Sequence, residues 1–138
     1  MATRRGAAHE ANIMDALSAS RRPLSAYALL DQLRPTGVAA PLTVYRALDN
    51  LMKSGKVHRI ETLNAFVACR QGHHHGHHGE PAHQPIAFTI CDECGAVDEF
   101  ADPGLRDRLS ERLVSKGFVP TGITLEVRGL CAVCSAKA

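Results

Sequence analysis

Residues 41–69, PLTVYRALDNLMKSGKVHRIETLNAFVAC, change from a helical to an extended pattern within one stretch. The helical part ends at Gly55, and we interpret its apolar stripe as Leu42, Tyr45, Leu48, Leu51 and Met52. Beyond Gly55 the period falls to two in KVHRIE and AFVAC, which flank the turn TLN and predict a β-hairpin. A helix followed by a small hairpin is typical of the third helix and wing of a winged helix-turn-helix.

Two further helices are predicted before this stretch. Residues 9–19 read as a helix by composition, and in LSAYALLDQL the residue Ser25 is placed as an N-cap, with Pro35 beyond the end.

The chain also carries ten Lys and Arg against six Asp and Glu in residues 1–84, but six against eight in residues 85–138. The N-terminal half is therefore the better partner for a polyanion.

The third helix has a polar face opposite its predicted apolar stripe. This face carries side chains of the types that reach phosphates and base edges in DNA, namely Thr43, Arg46, Asn50 and Lys53. Any surface helix has a polar face, however, so simple solvation explains the same pattern. The helix alone leaves both interpretations open.

The C-terminal part predicts a small α+β unit. IAFTIC and AVDEF read as strands joined by CDECG, an amphipathic helix follows with Leu105, Leu109 and Leu113 on one face, and ITLEVRGLC reads as a last strand. Such a unit is too small to bury much core alone. We therefore expect it to depend on a metal ion and on a second copy of the chain.

Four of the five cysteines form two Cys-x-x-Cys pairs, Cys91 with Cys94 and Cys131 with Cys134, separated by 36 residues. Four thiolates in tetrahedral geometry predict a structural zinc ion. The chain starts without a secretory signal, which argues against a disulfide framework. A redox role for one pair lacks the expected βαβ context.

The fifth cysteine suggests a second metal site. Cys69 ends the predicted wing, and His58 lies on the opposite strand of the same hairpin. In the second unit, His83 precedes the first strand and Glu99 ends the second. These four residues would make a four-coordinate site, although a lone cysteine is also often a small buried apolar residue.

Residues 71–85, QGHHHGHHGEPAHQP, hold six of the eight histidines. The glycines and prolines predict a hinge loop at 70–85, and mobile histidines bind metal weakly because ordering them costs conformational entropy. One of the later histidines is expected to complete the second metal site. The others, including those of residues 73–78, are either a low-affinity zinc collector or a solvated linker.

The sequence resembles the ferric uptake regulator superfamily, and most closely its zinc uptake regulator branch. The resemblance runs in order through SAYALLDQL, TVYRALDNL, GKVHRIE, NAFVAC, CDECGAV and GLCAVC. It implies a homodimeric transcriptional repressor with a winged-helix DNA-binding domain at 1–69 and an α/β dimerisation domain at 86–138. It also implies the two zinc ions. A structural ion falls on the four paired cysteines and a sensory ion on His58, Cys69 and Glu99, with His83, or His78 in its place, as the remaining ligand.

The resemblance further points to Tyr27 and Arg46 as DNA-contacting residues. The function predicted is a zinc-responsive repressor of zinc uptake genes that binds a palindromic operator in the cytoplasm, with no membrane partner and no small-molecule substrate. The thiolate of Cys69 favours zinc, because soft sulfur suits Zn(II) better than Fe(II) or Mn(II). The alternatives are an iron, manganese or peroxide regulator of the same family and a zinc-buffering or delivery protein. An enzyme is not expected, since the sequence has no nucleophile arrangement or phosphate loop.

Overall fold

The structure is a computed structural model that describes residues 3–70, 86–120 and 123–137. It divides into two compact units, Met1–Cys69 and Arg70–Ala138. The predicted hinge at 70–85 lies outside the described residues except for Arg70, so its bounds stay a prediction. No helix in the described ranges combines the length and apolar character needed to cross a bilayer.

The first unit is a winged helix-turn-helix, as the sequence predicts. Its elements are α1 (Arg4–Ala19), α2 (Ala26–Leu33), α3 (Pro41–Lys53), β1 (Val57–Ile60) and β2 (Ala65–Ala68). Helix α1 begins earlier than expected because the Thr3 hydroxyl caps it by accepting from the Gly6 N–H at 3.2 Å. Ser25 caps α2 as predicted, and its hydroxyl accepts from the Ala28 N–H at 3.1 Å.

The wing is an antiparallel hairpin in which His58 pairs with Val67. Its turn ends at Asn64, which takes the left-handed conformation with a φ of 46°, a region that asparagine tolerates better than most residues. A single bridge also joins Leu24, just before α2, to Phe66 on β2, with N to O distances of 3.0 and 2.8 Å. The wing is therefore tied to the helix-turn-helix by backbone hydrogen bonds.

The buried face of α3 differs from the predicted stripe. The helix buries Val44, Ala47, Leu48 and Leu51 against α1 and α2. Leu42 is instead 57% exposed and Tyr45 41% exposed, so the prediction was wrong for these two residues. The buried set has the same spacing of three and four residues, and packing against the other helices selects it over the alternative.

This assignment gives a stability prediction. Leu48→Ala should lower the free energy of unfolding by about 2–5 kcal/mol, because it removes a fully buried side chain and leaves a cavity. The matched control is Leu42→Ala, the same chemical change on the exposed face of the same helix, which should shift it by less than about 0.5 kcal/mol. Urea unfolding followed by circular dichroism measures both; equal losses would contradict the observed orientation of α3.

The second unit is the predicted α+β unit, built from β3 (Ile86–Cys91), β4 (Val97–Ala101), α4 (Pro103–Val114), β5 (Thr124–Gly129) and α5 (Ala132–Ala136). Strand β3 lies in the centre of the sheet, antiparallel to β4 and parallel to β5. Leu105, Leu109 and Leu113 lie half-buried along α4. Among the described residues this unit fully buries only Ala87, Phe88, Ile90 and Cys91, which agrees with the expected small core.

Candidate metal centres

The four paired cysteines are brought together by the parallel pairing of β3 and β5. Cys91 is the last residue of β3 and lies opposite Gly129 in the register. Cys131 follows β5 as the N-cap of α5. Between Cys91 and its partner Cys94 the chain turns tightly, and Gly95, with a φ of 73°, donates its N–H to the Cys91 carbonyl at 3.0 Å. Neighbouring parallel strands end at the same edge of the sheet, so cysteines far apart in sequence converge there.

The distances fit a tetrahedral metal site. The Sγ atoms of all four residues lie within 4.8 Å of one another. The Sγ atoms of Cys94 and Cys131 are 3.8 Å apart. A tetrahedral zinc ion with Zn–S bonds near 2.3 Å requires sulfurs separated by about 3.8 Å. All five cysteines are described by the structure and none is in a disulfide, so the thiols are available as ligands.

Hydrogen bonds and burial shift the pKa values of two thiols in this cluster. Hydrogen bonds from the backbone N–H groups of Cys94 and Cys131 lower the pKa of Cys91 to about 6, outweighing the effect of burial. The Cys131 N–H lies 3.4 Å from the Cys91 sulfur. Conversely, the side-chain hydrogen bond to Cys131, together with burial, raises the pKa of Cys134 to about 12. The cluster thus stabilises the thiolate of Cys91 and retains the proton of Cys134. A divalent metal ion must displace that proton when it binds.

His58 and Cys69 are brought together on the wing of the first unit. Because His58 pairs with Val67, a residue two positions further along lies on the same face of the hairpin and diagonal to it. Cys69 occupies that position, and its N–H donates to the Lys56 carbonyl at 2.8 Å. A ring nitrogen of His58 and the Cys69 sulfur lie within 4.8 Å of each other, and both residues are half-buried.

Of the other two residues predicted for this second site, the structure describes only Glu99, which belongs to the second unit. Glu99 lies on β4 opposite Phe88, and its Oε2 accepts from the backbone N–H of Arg70 at 3.3 Å. His83 and the alternative His78 lie outside the described residues. The composition of the complete second site therefore stays a prediction.

The residues predicted to contact DNA lie on α2 and α3. Tyr27, Arg46, Asn50 and Lys53 are exposed and Thr43 is half-exposed. The Asn50 side-chain amide donates to Oε1 of Glu10 on α1 at 3.2 Å. Leu42 and Tyr45 also lie on this exposed side of α3, contrary to the sequence prediction. The signal for it in the sequence is the second apolar stripe, formed by Val44, Ala47, Leu48 and Leu51.

Two features together define the class of protein: a winged helix-turn-helix and an α+β unit with a cluster of four cysteines that could hold a metal ion. The chain belongs to the ferric uptake regulator family. The profile of that family matches residues 10–128. The zinc uptake regulation protein of Escherichia coli (strain K12) is 41% identical over 112 residues, which make up 80% of this chain and 61% of that protein. The match thus spans less than two thirds of the relative's length.

Solved structures show the same likeness. Holo XcZur is 43% identical, with a TM-score of 0.78 over 93% of this chain and 84% of that chain. A zinc uptake regulator complexed with zinc and DNA is 36% identical, with a TM-score of 0.82 over 94% of this chain and 82% of that chain.

Proposed function

We propose that this protein is a zinc-responsive transcriptional repressor of zinc uptake genes that acts in the cytoplasm as a homodimer on a palindromic operator, with Zn(II) as co-repressor. The observation that carries the proposal is the closeness of the His58 imidazole and the Cys69 thiol on the wing. A metal ion bound by these two side chains would bind directly to the DNA-binding unit. Proteins of this family are regulators and not enzymes. The zinc and DNA recorded for a similar structure support the same function.

Two zinc ions per chain are proposed. The first is structural and is held by Cys91, Cys94, Cys131 and Cys134, whose sulfur separations suit four Zn–S bonds. The second is sensory and is held by the remaining thiolate and nitrogen and oxygen donors, namely His58, Cys69, Glu99 and His83. Sulfur in a tetrahedral donor set selects Zn(II) over the harder Fe(II) and Mn(II) ions.

The position of Glu99 supports its inclusion in the sensory site. Its carboxylate accepts from the backbone N–H of Arg70, which is the residue after Cys69 in the chain. Such a hydrogen bond fixes the orientation of a carboxylate, as ligands of metal sites usually require. His83 is proposed from its place in the sequence before β3, with His78 as the alternative.

This ligand set connects metal binding to DNA binding. His58 and Cys69 belong to the winged-helix unit, whereas Glu99 belongs to the second unit and His83 to the predicted hinge before β3. Ligation by both sets restricts the positions of the two winged helices in a dimer. DNA binding then becomes more favourable, because the restricted state holds both α3 helices where they can reach successive major grooves, about 34 Å apart. The gain is bounded by how much more tightly zinc binds this restricted state.

The exposed side of α3 is proposed to enter the major groove. Arg46 supplies a guanidinium for base edges or phosphates, and Lys53 a second cation. The exposed Leu42 and Tyr45 suit the apolar methyl groups of thymine, whereas Asp49 on the same side disfavours non-specific contact with phosphates. Tyr27 at the start of α2, with Thr43 and Asn50 beside this face, extends the proposed contact.

The function is tested by fluorescence anisotropy with DNA from bacterial zinc-import promoters across buffered free Zn(II), Fe(II) and Mn(II). We expect tight, salt-sensitive binding that appears only as zinc rises, because released counterions give operator binding a steep salt slope. Binding that follows iron or manganese would instead identify a regulator of a different metal. Absence of specific binding with every metal would reject the repressor and favour zinc buffering.

The DNA interface has its own variant in this assay. Arg46→Ala should weaken operator binding in zinc by about 1–3 kcal/mol, the typical value for an arginine that reads a base. Arg112→Ala is the matched control, since it removes the same charge from an exposed site on α4 in the second unit. Equal losses in both variants would mean that Arg46 acts only through net charge.

A further inference from the structure

Asp92 and Arg128 form an ion pair beside the four-cysteine centre that the ligand assignment does not use. Asp92 lies between Cys91 and Cys94, and Arg128 lies near the end of β5. Both Nε and Nη2 of Arg128 donate to the same oxygen, Oδ1 of Asp92, at 3.0 and 2.9 Å. The pair therefore joins the segments that carry the two cysteine pairs.

The backbone reinforces this connection. The N–H of Asp92 donates to the Gly129 carbonyl at 2.8 Å, so the same residue is tied to β5 by its main chain and its side chain. The Cys131 N–H reaches the Cys91 sulfur from the other direction. By contrast, the ion pairs of Arg34 with Asp31 and of Arg59 with Glu61 join residues only three and two positions apart.

We propose that Asp92 and Arg128 are positioning residues that hold the two cysteine pairs in register for the metal ion. The inference rests on the proposed structural zinc site. Groups around metal ligands orient them, and their loss typically weakens metal binding about 10- to 100-fold. Because Arg128 is 66% exposed and Asp92 46% exposed, water screens the pair, and the effect belongs at the lower end of that range.

The charges make the two partners unequal. A zinc ion with four thiolates carries two net negative charges, and the Asp92 carboxylate adds a third between two of the ligands. Arg128 compensates this carboxylate. Arg128→Gln therefore removes the connection and leaves an uncompensated negative charge beside the thiolates, whereas Asp92→Asn removes the connection and the charge together.

The experiment measures the rate at which zinc leaves the full-length protein into excess chelator. We expect Arg128→Gln to accelerate release about tenfold, Asp92→Asn by less, and the double variant to match Asp92→Asn rather than the product of the single effects. Arg128→Lys, which retains a cation, should lie between wild type and Arg128→Gln. The cobalt(II)-loaded variants should keep a tetrahedral thiolate spectrum, which shows that the ligand set is unchanged.

The matched control is Arg108→Gln, because Arg108 pairs with Asp102 at 4.0 Å in the same unit with similar exposures of 72% and 46%. It should release zinc at the wild-type rate. Release from Arg128→Gln at the wild-type rate, or equal acceleration in the control, would overturn the positioning role while leaving the zinc site intact. If the Cys94→Ser variant contains as much zinc as the wild type, the four-cysteine zinc site is rejected, and the positioning role is rejected with it.

Discussion

Cys94→Ser should prevent the second unit from folding and should remove one zinc ion per chain. A structural zinc site contributes on the order of 10 kcal/mol to folding, which is comparable to the whole stability of a typical domain. The second unit has little else to replace it, since it buries only a few apolar side chains among the described residues. Zinc content by mass spectrometry and thermal unfolding by circular dichroism measure the effect.

The control for this variant is Cys69→Ser, the same chemical change outside the four-cysteine cluster. At free zinc buffered too low to fill the proposed sensory site, it should leave the unfolding temperature close to that of wild type. If Cys94→Ser instead keeps normal helicity and a normal melting temperature, the cluster is not structural.

Cys69→Ser should fold normally but lose the dependence of DNA binding on zinc. If zinc tightens operator binding about a hundredfold in the wild type, the coupling free energy is about 2.7 kcal/mol, and removal of the thiolate should abolish most of it. Linkage also requires that operator DNA tighten zinc binding by the same factor. Anisotropy titrations at low and high buffered zinc measure the first effect, and zinc titrations with and without DNA measure the second.

Ala68→Ser is a suitable control for Cys69→Ser. It introduces the same hydroxyl one residue earlier on the wing, on the opposite face of the hairpin from His58. It should retain zinc-dependent binding. If Cys69→Ser also retains it, Cys69 is not a sensory ligand, although the repressor function would stand if another residue replaces it.

The winged helix and the four-cysteine cluster were predictable because both depend on short-range patterns. Ser25 as a cap, the change of period after Gly55 and the two-residue spacing within each cysteine pair are all visible within a few positions. The parallel pairing that unites Cys91 with Cys131 was not needed to identify the site, since the ligand types alone defined its chemistry.

The orientation of α3 was not predictable to the same degree. Two apolar stripes overlap on this helix, and only packing against the buried residues of α1 and α2 favours the one through Val44 and Leu48. Contacts such as that between Glu10 and Asn50 are even harder to predict from the sequence, because they join polar side chains 40 positions apart and leave no periodic signal. The pairing of Asp92 with Arg128 is of the same kind.

The pairing of β3 with β5 also has a consequence for the order of events during synthesis. The first cysteine pair is translated before the second, and 36 residues lie between them. At about 5–20 residues per second, roughly two to seven seconds pass before the second pair exists. During that interval the chain holds only two of the four cysteines, so the complete set of four thiolates can bind a metal ion only after β5 and Cys134 have been synthesised.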